Sequence, residues 1–429
     1  MTAASEPRRD GQIAFILLTS FLNLAGIGII NPVFPFIVSR YTEPADAALA
    51  QSLLFTSYSL FQFLAVPTLG ALSDRFGRRP VLLVSLLGSA AGYVIFGIGG
   101  ALWVLFLGRI IDGITGGNLA AIYAYAADIT KPEERTRFFG LVGSFAGLGF
   151  VLGPALGSLL YEITKVYEAP VYFAAIVTLL NVIWGYFAMP ESLSVDKRAV
   201  KVSLVRLNPL TQMRAVFRLT QLRFFLVSVF IWQVAFAILQ ANVSVLTKDQ
   251  FNWTPSHTGL LLFIVGTVSI IAQVGLIRLL LRRLGEWRIA VGGLFSLGTG
   301  FLIISLATFI NLDWVMYIAA IFVALGNGLT LPSLTGLLSQ GVSMREQGVL
   351  QGGNQSVQAL GRVIGPLYGG WTYTEFGYAA PYLTGALGLI VAIMMVFAAI
   401  PALNAYKRQL AVAPTVASDS FKPSERGGE

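Results

Sequence analysis

Apolar stretches of about twenty residues follow one another along the chain, separated by short polar segments. A bilayer core about 30 Å thick needs about 20 apolar residues per helix, so the pattern predicts an all-α membrane protein. The first stretch follows Arg8 and Arg9, but it is too long for a signal-peptide core and lacks a small-residue cleavage site, so we interpret it as a first span. The twelve predicted spans cover 13–38, 48–72, 80–98, 101–127, 137–161, 170–189, 222–247, 257–277, 288–310, 314–340, 347–373 and 378–403.

The longest polar connection divides the spans into two sets of six. We predict an N-terminal six-helix bundle over 1–189, a linker over 190–221 and a C-terminal six-helix bundle over 222–403. The last segment, 404–429, is rich in Pro, Ser, Gly and charge, a composition typical of disorder. We therefore predict a disordered cytoplasmic tail there.

Composition supports a lipid environment. Hydrophobic residues make up 55% of the chain and charged residues 12%, about half the charged share of soluble domains. The chain contains no cysteine and one histidine, which excludes disulfides and cysteine-ligated metal. It also lacks the Gly-Lys pair of phosphate-binding loops. No nucleophile, metal or acid/base constellation is evident, so we expect no enzyme, no metal and no cofactor.

The basic residues predict the orientation of the chain. With both termini in the cytoplasm, 24 of the 29 Lys and Arg residues lie in cytoplasmic segments. Arg40, Lys165 and Lys248 lie outside, and Arg109 and Arg362 lie within predicted spans. This distribution follows the positive-inside rule. The net charge of +8 therefore reflects topology and anionic headgroups, and nucleic-acid binding is not expected.

A glycine-proline run occurs at corresponding places in the two halves, offset by 212 residues. Small residues four apart let helices approach closely in lipid, and proline kinks a helix. Two such runs indicate an internal repeat, and we expect them to pack the halves against each other. The residues are Gly149, Gly153, Pro154 and Gly157 in span five and Gly361, Gly365, Pro366 and Gly369 in span eleven.

Two ions of opposite charge lie within span four. Arg109 and Asp112 are three residues apart and share a helix face, with Tyr123 about three turns further along the same face. At 1.5 Å per residue they lie about 12 and about 17 Å deep, near the midplane. An unpaired ion there costs several kcal/mol. The pair either locks helix packing or couples transport to protons, with Asp112 as the carrier, since His257 is predicted in an external loop.

Uncharged polar residues form stripes in two other spans. Four groups facing lipid would be unfavourable, so the span-eleven stripe must face protein or a water-filled cavity. Interhelical hydrogen bonding is one explanation and substrate contact the other. Arg362 has no acidic neighbour one turn away, so we expect it to give the cavity a positive bias. The candidate substrate residues are Gln351, Gln355, Gln358 and Arg362 in span eleven, Gln233, Phe236 and Gln240 in span seven, and Tyr123 and Asn23.

The loop after span two reads GALSDRFGRRP over residues 70–80 and resembles the signature loop of the major facilitator superfamily. The resemblance implies a conformational latch, in which Asp74 meets a helix N-terminus and the arginines meet acids such as Asp128. An aspartate is favoured at the positive end of a helix dipole. Taken alone, the arginines are also typical of an ordinary positively charged inside loop. The latch residues would be Gly70, Asp74, Arg75, Gly77, Arg78, Arg79 and Asp128.

Other motifs resemble the twelve-helix drug:proton antiporters of that superfamily. They are the run AGIGIINPVFP in span one, the start of span four and the glycine-proline run of span five. The segments 282–291 and 345–353 are similar to tetracycline-efflux proteins. Those pumps carry acids in spans one and three, where this chain has Asn23 and Gly92. The resemblance therefore implies the major facilitator fold, two pseudo-symmetric six-helix bundles, and antiport, more than it implies tetracycline as substrate.

These features predict a secondary transporter in the cell (inner or plasma) membrane. It would export small amphiphilic, drug-like molecules in exchange for protons by alternating access. Its expected partners are a small-molecule substrate, protons and the bilayer, and we expect a monomer. Two alternatives stay open: a proton symporter that imports a sugar or other metabolite, and a non-transporting receptor or lipid-handling scaffold. The scaffold leaves the midplane ions unexplained.

Overall fold

The computed structural model describes residues 6–131, 134–198, 208–343 and 346–419. Within these ranges the chain forms twelve long helices and no β-strand. The helices are α1 (Glu6–Ile30), α2 (Ala47–Phe76), α3 (Arg78–Ile98), α4 (Leu102–Ile129), α5 (Arg135–Thr164), α6 (Ala169–Ala188), α7 (Arg223–Phe251), α8 (Pro255–Leu284), α9 (Glu286–Ile310), α10 (Val315–Gln340), α11 (Gln347–Phe376) and α12 (Ala380–Asp419).

The twelve helices coincide with the twelve predicted spans. In the described part of the chain, eleven are long and apolar enough to cross a membrane. The exception is α11, which carries the glutamine stripe. Its 30 residues extend about 45 Å at 1.5 Å per residue, more than a bilayer core requires. Its polarity is accommodated because much of the helix is buried against other helices.

Several helix ends differ from their predicted positions. The helix α1 ends at Ile30, and a turn leads into a short helix, Phe34–Val38, because Pro32 and Pro35 cannot donate the hydrogen bonds that would continue α1. The predicted disordered tail over 404–429 is wrong up to Asp419, since α12 continues that far. Residues 404–413 are mostly good helix formers, and residues 420–429 lie outside the described ranges.

Two helices are irregular in the middle. A 3₁₀ turn, Gly116–Asn118, interrupts α4, and a π-helical turn, Ala272–Leu276, interrupts α8. A 3₁₀ turn advances 120° per residue instead of 100°, so three such residues rotate the rest of α4 by about 60°. The two halves of α4 therefore present different faces to their neighbours.

The glycine-proline run of α5 packs against α1, within the N-terminal bundle. A methyl group added at Gly149 would lie 2.1 Å from the carbonyl oxygen of Phe21, and one at Gly157 would lie 2.1 Å from that of Ile29. The two backbones are therefore in direct contact, as small residues allow in lipid.

The run of α11 packs in the same way against α7, within the C-terminal bundle. A methyl group at Gly365 would lie 2.7 Å from the carbonyl oxygen of Val234. The internal sequence repeat thus corresponds to the same type of helix–helix packing in both bundles. The prediction that these eight residues pack the bundles against each other is wrong for their glycines, which face α1 and α7 of their own bundles.

Most of the hydrogen bonds described between the two bundles lie at one end of the molecule; the exception joins Thr56 to the Val363 carbonyl, near the middle of α11. We call this end the far side, and the end that carries the segment between α6 and α7 the linker side. Six buried residues form what we call the far-side network, in which Gln51 donates to the Ala241 carbonyl at 2.8 Å and to Ser244 at 3.2 Å. Ser52 donates to Asn242 at 3.1 Å, and Ser244 donates to Asn31 at 3.2 Å.

Helices α5 and α8 close the far side next to this network. Ser158 donates to the Pro255 carbonyl at 2.9 Å, and Ser256 donates to Glu162 at 2.7 Å. On the linker side, no hydrogen bond joins the bundles among the described residues. Hydrogen bonds between the bundles therefore hold the far side together, and none is described on the linker side.

Candidate functional site

Arg109 and Asp112 form a buried ion pair on α4. Each residue is only 2% exposed, and Arg109 Nη1 donates to Asp112 Oδ2 at 3.1 Å. The three-residue spacing places both on one face. Arg109 Nε is enclosed and has no partner, so the guanidinium is incompletely satisfied in this conformation.

Aromatic rings enclose the guanidinium of Arg109. Its central carbon lies 4.2 Å from the ring centre of Tyr58 on α2 and 5.8 Å from that of Phe34. Cation–π attraction strengthens when the cation is desolvated. The Tyr58 hydroxyl accepts a hydrogen bond from Gln62 at 3.0 Å. The ion pair is therefore held by three segments of the N-terminal bundle, and the sequence analysis did not identify Tyr58.

Asp112 lies where α3 and α4 are in closest contact. A methyl group added at Gly92 would lie 2.9 Å from Asp112 Cβ and 2.8 Å from the carbonyl oxygen of Gly108. A side chain at position 92 would therefore clash with the backbone of α4. In this chain the carboxylate of this region comes from α4, because α3 approaches too closely to carry one.

Asn23 and Tyr123 do not join the ion pair. Asn23 Nδ2 donates to Asn118 Oδ1 at 2.9 Å, which links α1 to α4. Tyr123 packs edge-on against Phe139 of α5, with ring centres 5.5 Å apart. The 3₁₀ turn explains both results, because it rotates Asn118 and Tyr123 away from the positions that a regular α-helix would give them. Asn118 is a residue that the sequence analysis missed.

The polar residues of α7 and α11 divide into exposed and buried groups. Gln351 and Gln355 are exposed near the linker side, whereas Gln233 and Gln358 are 4% and 6% exposed. Arg362 and Gln240 are half-buried. Phe236 is different, since it belongs to the hydrophobic core and stacks on Trp232 with ring centres 5.9 Å apart. The expected mixed aromatic and amide surface on α7 is therefore mostly inside the C-terminal bundle.

The loop between α2 and α3 is organised around Arg78. Its Nη1 atom donates to Ser73 Oγ at 2.7 Å and to Asp74 Oδ1 at 2.5 Å. Its Nε atom lies 3.4 Å from Asp128 Oδ2 at the end of α4. The structure thus brings Arg78 and Asp128 together, as the latch hypothesis requires.

The N-terminus of α3 is capped by Glu191, another residue that the sequence analysis missed. Its two carboxylate oxygens accept from the backbone N–H groups of Arg78 at 2.8 Å and Arg79 at 3.2 Å. The expected contact between Asp74 and a helix N-terminus is not present, because Asp74 pairs with Arg78 and Glu191 takes the helix end. Glu191 follows a separate span and has no sequence spacing that would indicate this contact.

The remaining latch residues also lie within the N-terminal bundle. Arg75 stacks on Phe76 at 5.2 Å, and Arg79 donates to the Tyr186 carbonyl at 2.5 Å. A methyl group at Gly70 would meet only Ala120, at 3.9 Å. In this conformation the loop therefore makes no described hydrogen bond to the C-terminal bundle.

The described residues contain no group of three His, Asp or Glu side chains that could hold a metal ion. His257 lies exposed in the first turn of α8 and not in a loop, with its ring 2.9 Å from Thr254. A buried carboxylate–guanidinium pair in one of two six-helix bundles is typical of secondary membrane transporters.

Comparisons with known proteins agree with this class. The family model for the Major Facilitator Superfamily matches residues 16–366, and the chain belongs to that family. It is 34% identical over 397 residues to the class C tetracycline resistance protein of Escherichia coli, covering 92% of this chain and 97% of that protein. It is 26% identical to multidrug resistance protein 2 of Bacillus subtilis, covering 89% and 94%.

A solved structure shares the fold. The crystal structure of the human organic anion transporter MFSD10 superposes with a TM-score of 0.68 at 24% identity, covering 90% of this chain and 99% of that one. The chain is therefore a multi-pass membrane protein with the twelve-helix major facilitator fold.

Proposed function

We propose that the protein exports small amphiphilic, drug-like molecules in exchange for protons by alternating access. The observation that carries the proposal is the buried Arg109–Asp112 pair, bonded at 3.1 Å beside the space between the bundles. Support comes from relatives named as tetracycline and multidrug resistance proteins and from the antiporter-like motifs of α1, α4 and α5.

The orientation follows from the basic residues. In the sequence, 24 of the 29 Lys and Arg residues fall in segments that are cytoplasmic if the linker side faces the cytoplasm, so by the positive-inside rule we assign that side and both termini to the cytoplasm. The hydrogen bonds of the far side then correspond to a protein that is closed outside, the state in which an exporter loads its substrate from the cytoplasm.

The proposed mechanism uses Asp112 as the proton carrier. In the cytoplasm-open state Arg109 neutralises its carboxylate, and the surrounding rings exclude water. A movement of α4 relative to α2 that takes Arg109 away from the Tyr58 ring admits water and lets the guanidinium turn away from Asp112, which leaves the carboxylate free to bind a proton. Release follows when the pair re-forms. The same change of conformation thus moves the substrate out of the cell and a proton in.

The experiment is a measurement of substrate-driven pH change in proteoliposomes that contain a pH-sensitive dye. Substrate added outside enters in exchange for protons, so antiport makes the lumen more alkaline. The rival proposal, a proton symporter that imports metabolites, makes the lumen more acidic. Absence of any pH change across a panel of drugs and metabolites would contradict both forms of proton coupling. Protein-free liposomes are the control.

A further inference from the structure

Arg362 on α11 is an unpaired cation in the middle of the membrane. The structure describes no ion pair and no hydrogen bond between Arg362 and any residue of the described ranges. Arg109 differs, because its charge is balanced by Asp112. An unbalanced guanidinium inside the membrane needs water or a ligand of opposite charge.

Two buried amides next to Arg362 are also without partners. Gln358 lies one turn before Arg362 on α11, and the side chain of Gln233 packs against the adjacent Gly361, where an added methyl group would lie 2.8 Å from Gln233 Cγ. Both glutamines are at least nine-tenths buried, yet no hydrogen bond is described for either. Their polar atoms are not among the enclosed atoms that lack a partner, so these atoms reach accessible space.

Tyr58 extends this cluster across the bundle interface. Thr56 of α2 donates to the Val363 carbonyl of α11 at 3.5 Å, which brings the two helices together at this level. The Tyr58 hydroxyl accepts from Gln62, so its own proton is free to donate. The cluster offers a guanidinium, two amide groups and a hydroxyl, and none of its members is a carboxylate. Its residues are Arg362, Gln358, Gln233 and Tyr58.

We propose that these four residues form a subsite for the anionic group of the substrate. A fork of guanidinium N–H groups matches a carboxylate bidentately, and the neighbouring amides supply further donors. The preferred substrates are amphiphilic organic anions or zwitterions that carry a carboxylate. This inference rests on the proposed function, because it assumes that the accessible space is the substrate path.

The test is equilibrium binding of a matched fluorescent set to the full-length protein in lipid nanodiscs. The probes are dansylglycine, which is anionic, its neutral amide and the cationic dansylcadaverine. We expect the wild type to bind dansylglycine more tightly than the amide. Arg362→Gln should weaken dansylglycine by about tenfold, the factor that corresponds to about 1.4 kcal/mol, and change the amide less than about twofold. Arg282→Gln, an exposed arginine on α8, should change none of the three.

Three outcomes would overturn the subsite. They are a wild type without preference for dansylglycine, equal weakening of all three probes in Arg362→Gln, and unchanged affinities in that variant. If Arg362→Gln does not fold, Arg362→Lys is the test, because lysine keeps the charge but lacks the forked guanidinium N–H groups. A selective loss of dansylglycine binding in that variant supports the subsite. Unchanged binding overturns it. The assay uses no proton gradient, so failure of the proposed exchange with protons would show separately, as a missing pH change in proteoliposomes.

Discussion

At the residue scale, Gly77 and Gly285 occupy corresponding turns of the two bundles. Their backbones lie at φ +105°, ψ 158° and φ +76°, ψ 160°, a region that is essentially restricted to glycine. Their surroundings differ. A methyl group at Gly77 would lie 2.2 Å from Glu191 Oε2, whereas one at Gly285 would meet no atom within 4 Å. Comparing an alanine substitution at each position therefore distinguishes the effect of backbone strain from the effect of losing the Glu191 cap.

We expect Gly77→Ala to destabilise the protein more than Gly285→Ala. The second change costs about 1–3 kcal/mol of backbone strain. The first costs the same strain and also displaces Glu191 from two N–H groups, each hydrogen bond to a charged acceptor contributing about 1.5–3 kcal/mol. Thermal unfolding in detergent, followed by tryptophan fluorescence, measures both variants. Equal shifts in midpoint would show that the cap contributes nothing.

Some site residues could be predicted from the sequence and others could not. A charged pair inside an apolar stretch must be paired or functional, so Arg109 and Asp112 were identifiable from spacing and depth. Tyr58 was not, because an aromatic residue in a membrane helix is ordinary and its contact with Arg109 is tertiary. Asn118 was missed because the 3₁₀ turn at Gly116–Asn118 has no clear signal in the sequence beyond its two glycines.

At the element scale, helix number and helix packing differ in how well the sequence predicts them. Apolar length predicts twelve helices, including the polar α11. The glycine runs predict close packing but not the partner, and α1 and α7 proved to be the partners. Partner choice depends on which backbones meet in three dimensions, and small-residue spacing is the same for either choice.

The contact between α2 and α7 yields a prediction about conformation. Gln51 is fully buried and makes two hydrogen bonds across the bundles. Gln51→Met keeps the side-chain length and removes both, each contributing about 0.5–1.5 kcal/mol. We expect the far side to open more often. A cysteine pair, Glu162→Cys with Ser256→Cys, introduced into this cysteine-free chain, should then cross-link several times more slowly.

The matched control is Thr19→Val, which removes a buried hydrogen bond within the N-terminal bundle, where Asn181 donates to Thr19 at 2.9 Å. Its effect on stability resembles that of Gln51→Met, but it leaves the bundle interface unchanged. If cross-linking slows equally in both variants, or in neither, the far-side network does not hold the far side closed.

At the scale of the whole molecule, two bundles with repeated internal packing meet at the far side and separate toward the linker side. The ion pair lies in the N-terminal bundle, and the unpaired Arg362 lies in the C-terminal bundle. A rocking movement of one bundle against the other therefore changes the surroundings of both sites at once. This arrangement is what exchange of a proton for a substrate requires.

The most direct test of this account is the pH change that substrate drives in proteoliposomes containing Asp112→Asn. The amide keeps the shape of the side chain but cannot titrate. We expect the pH change to fall by about a hundredfold or more, with binding of the neutral amide of dansylglycine within about twofold of wild type. Asp112→Glu should retain part of the pH change. Asp249→Asn, which alters a half-buried carboxylate on α7, should keep the full signal. Proton exchange by Asp112→Asn at the wild-type rate would contradict the assignment of Asp112 as the carrier.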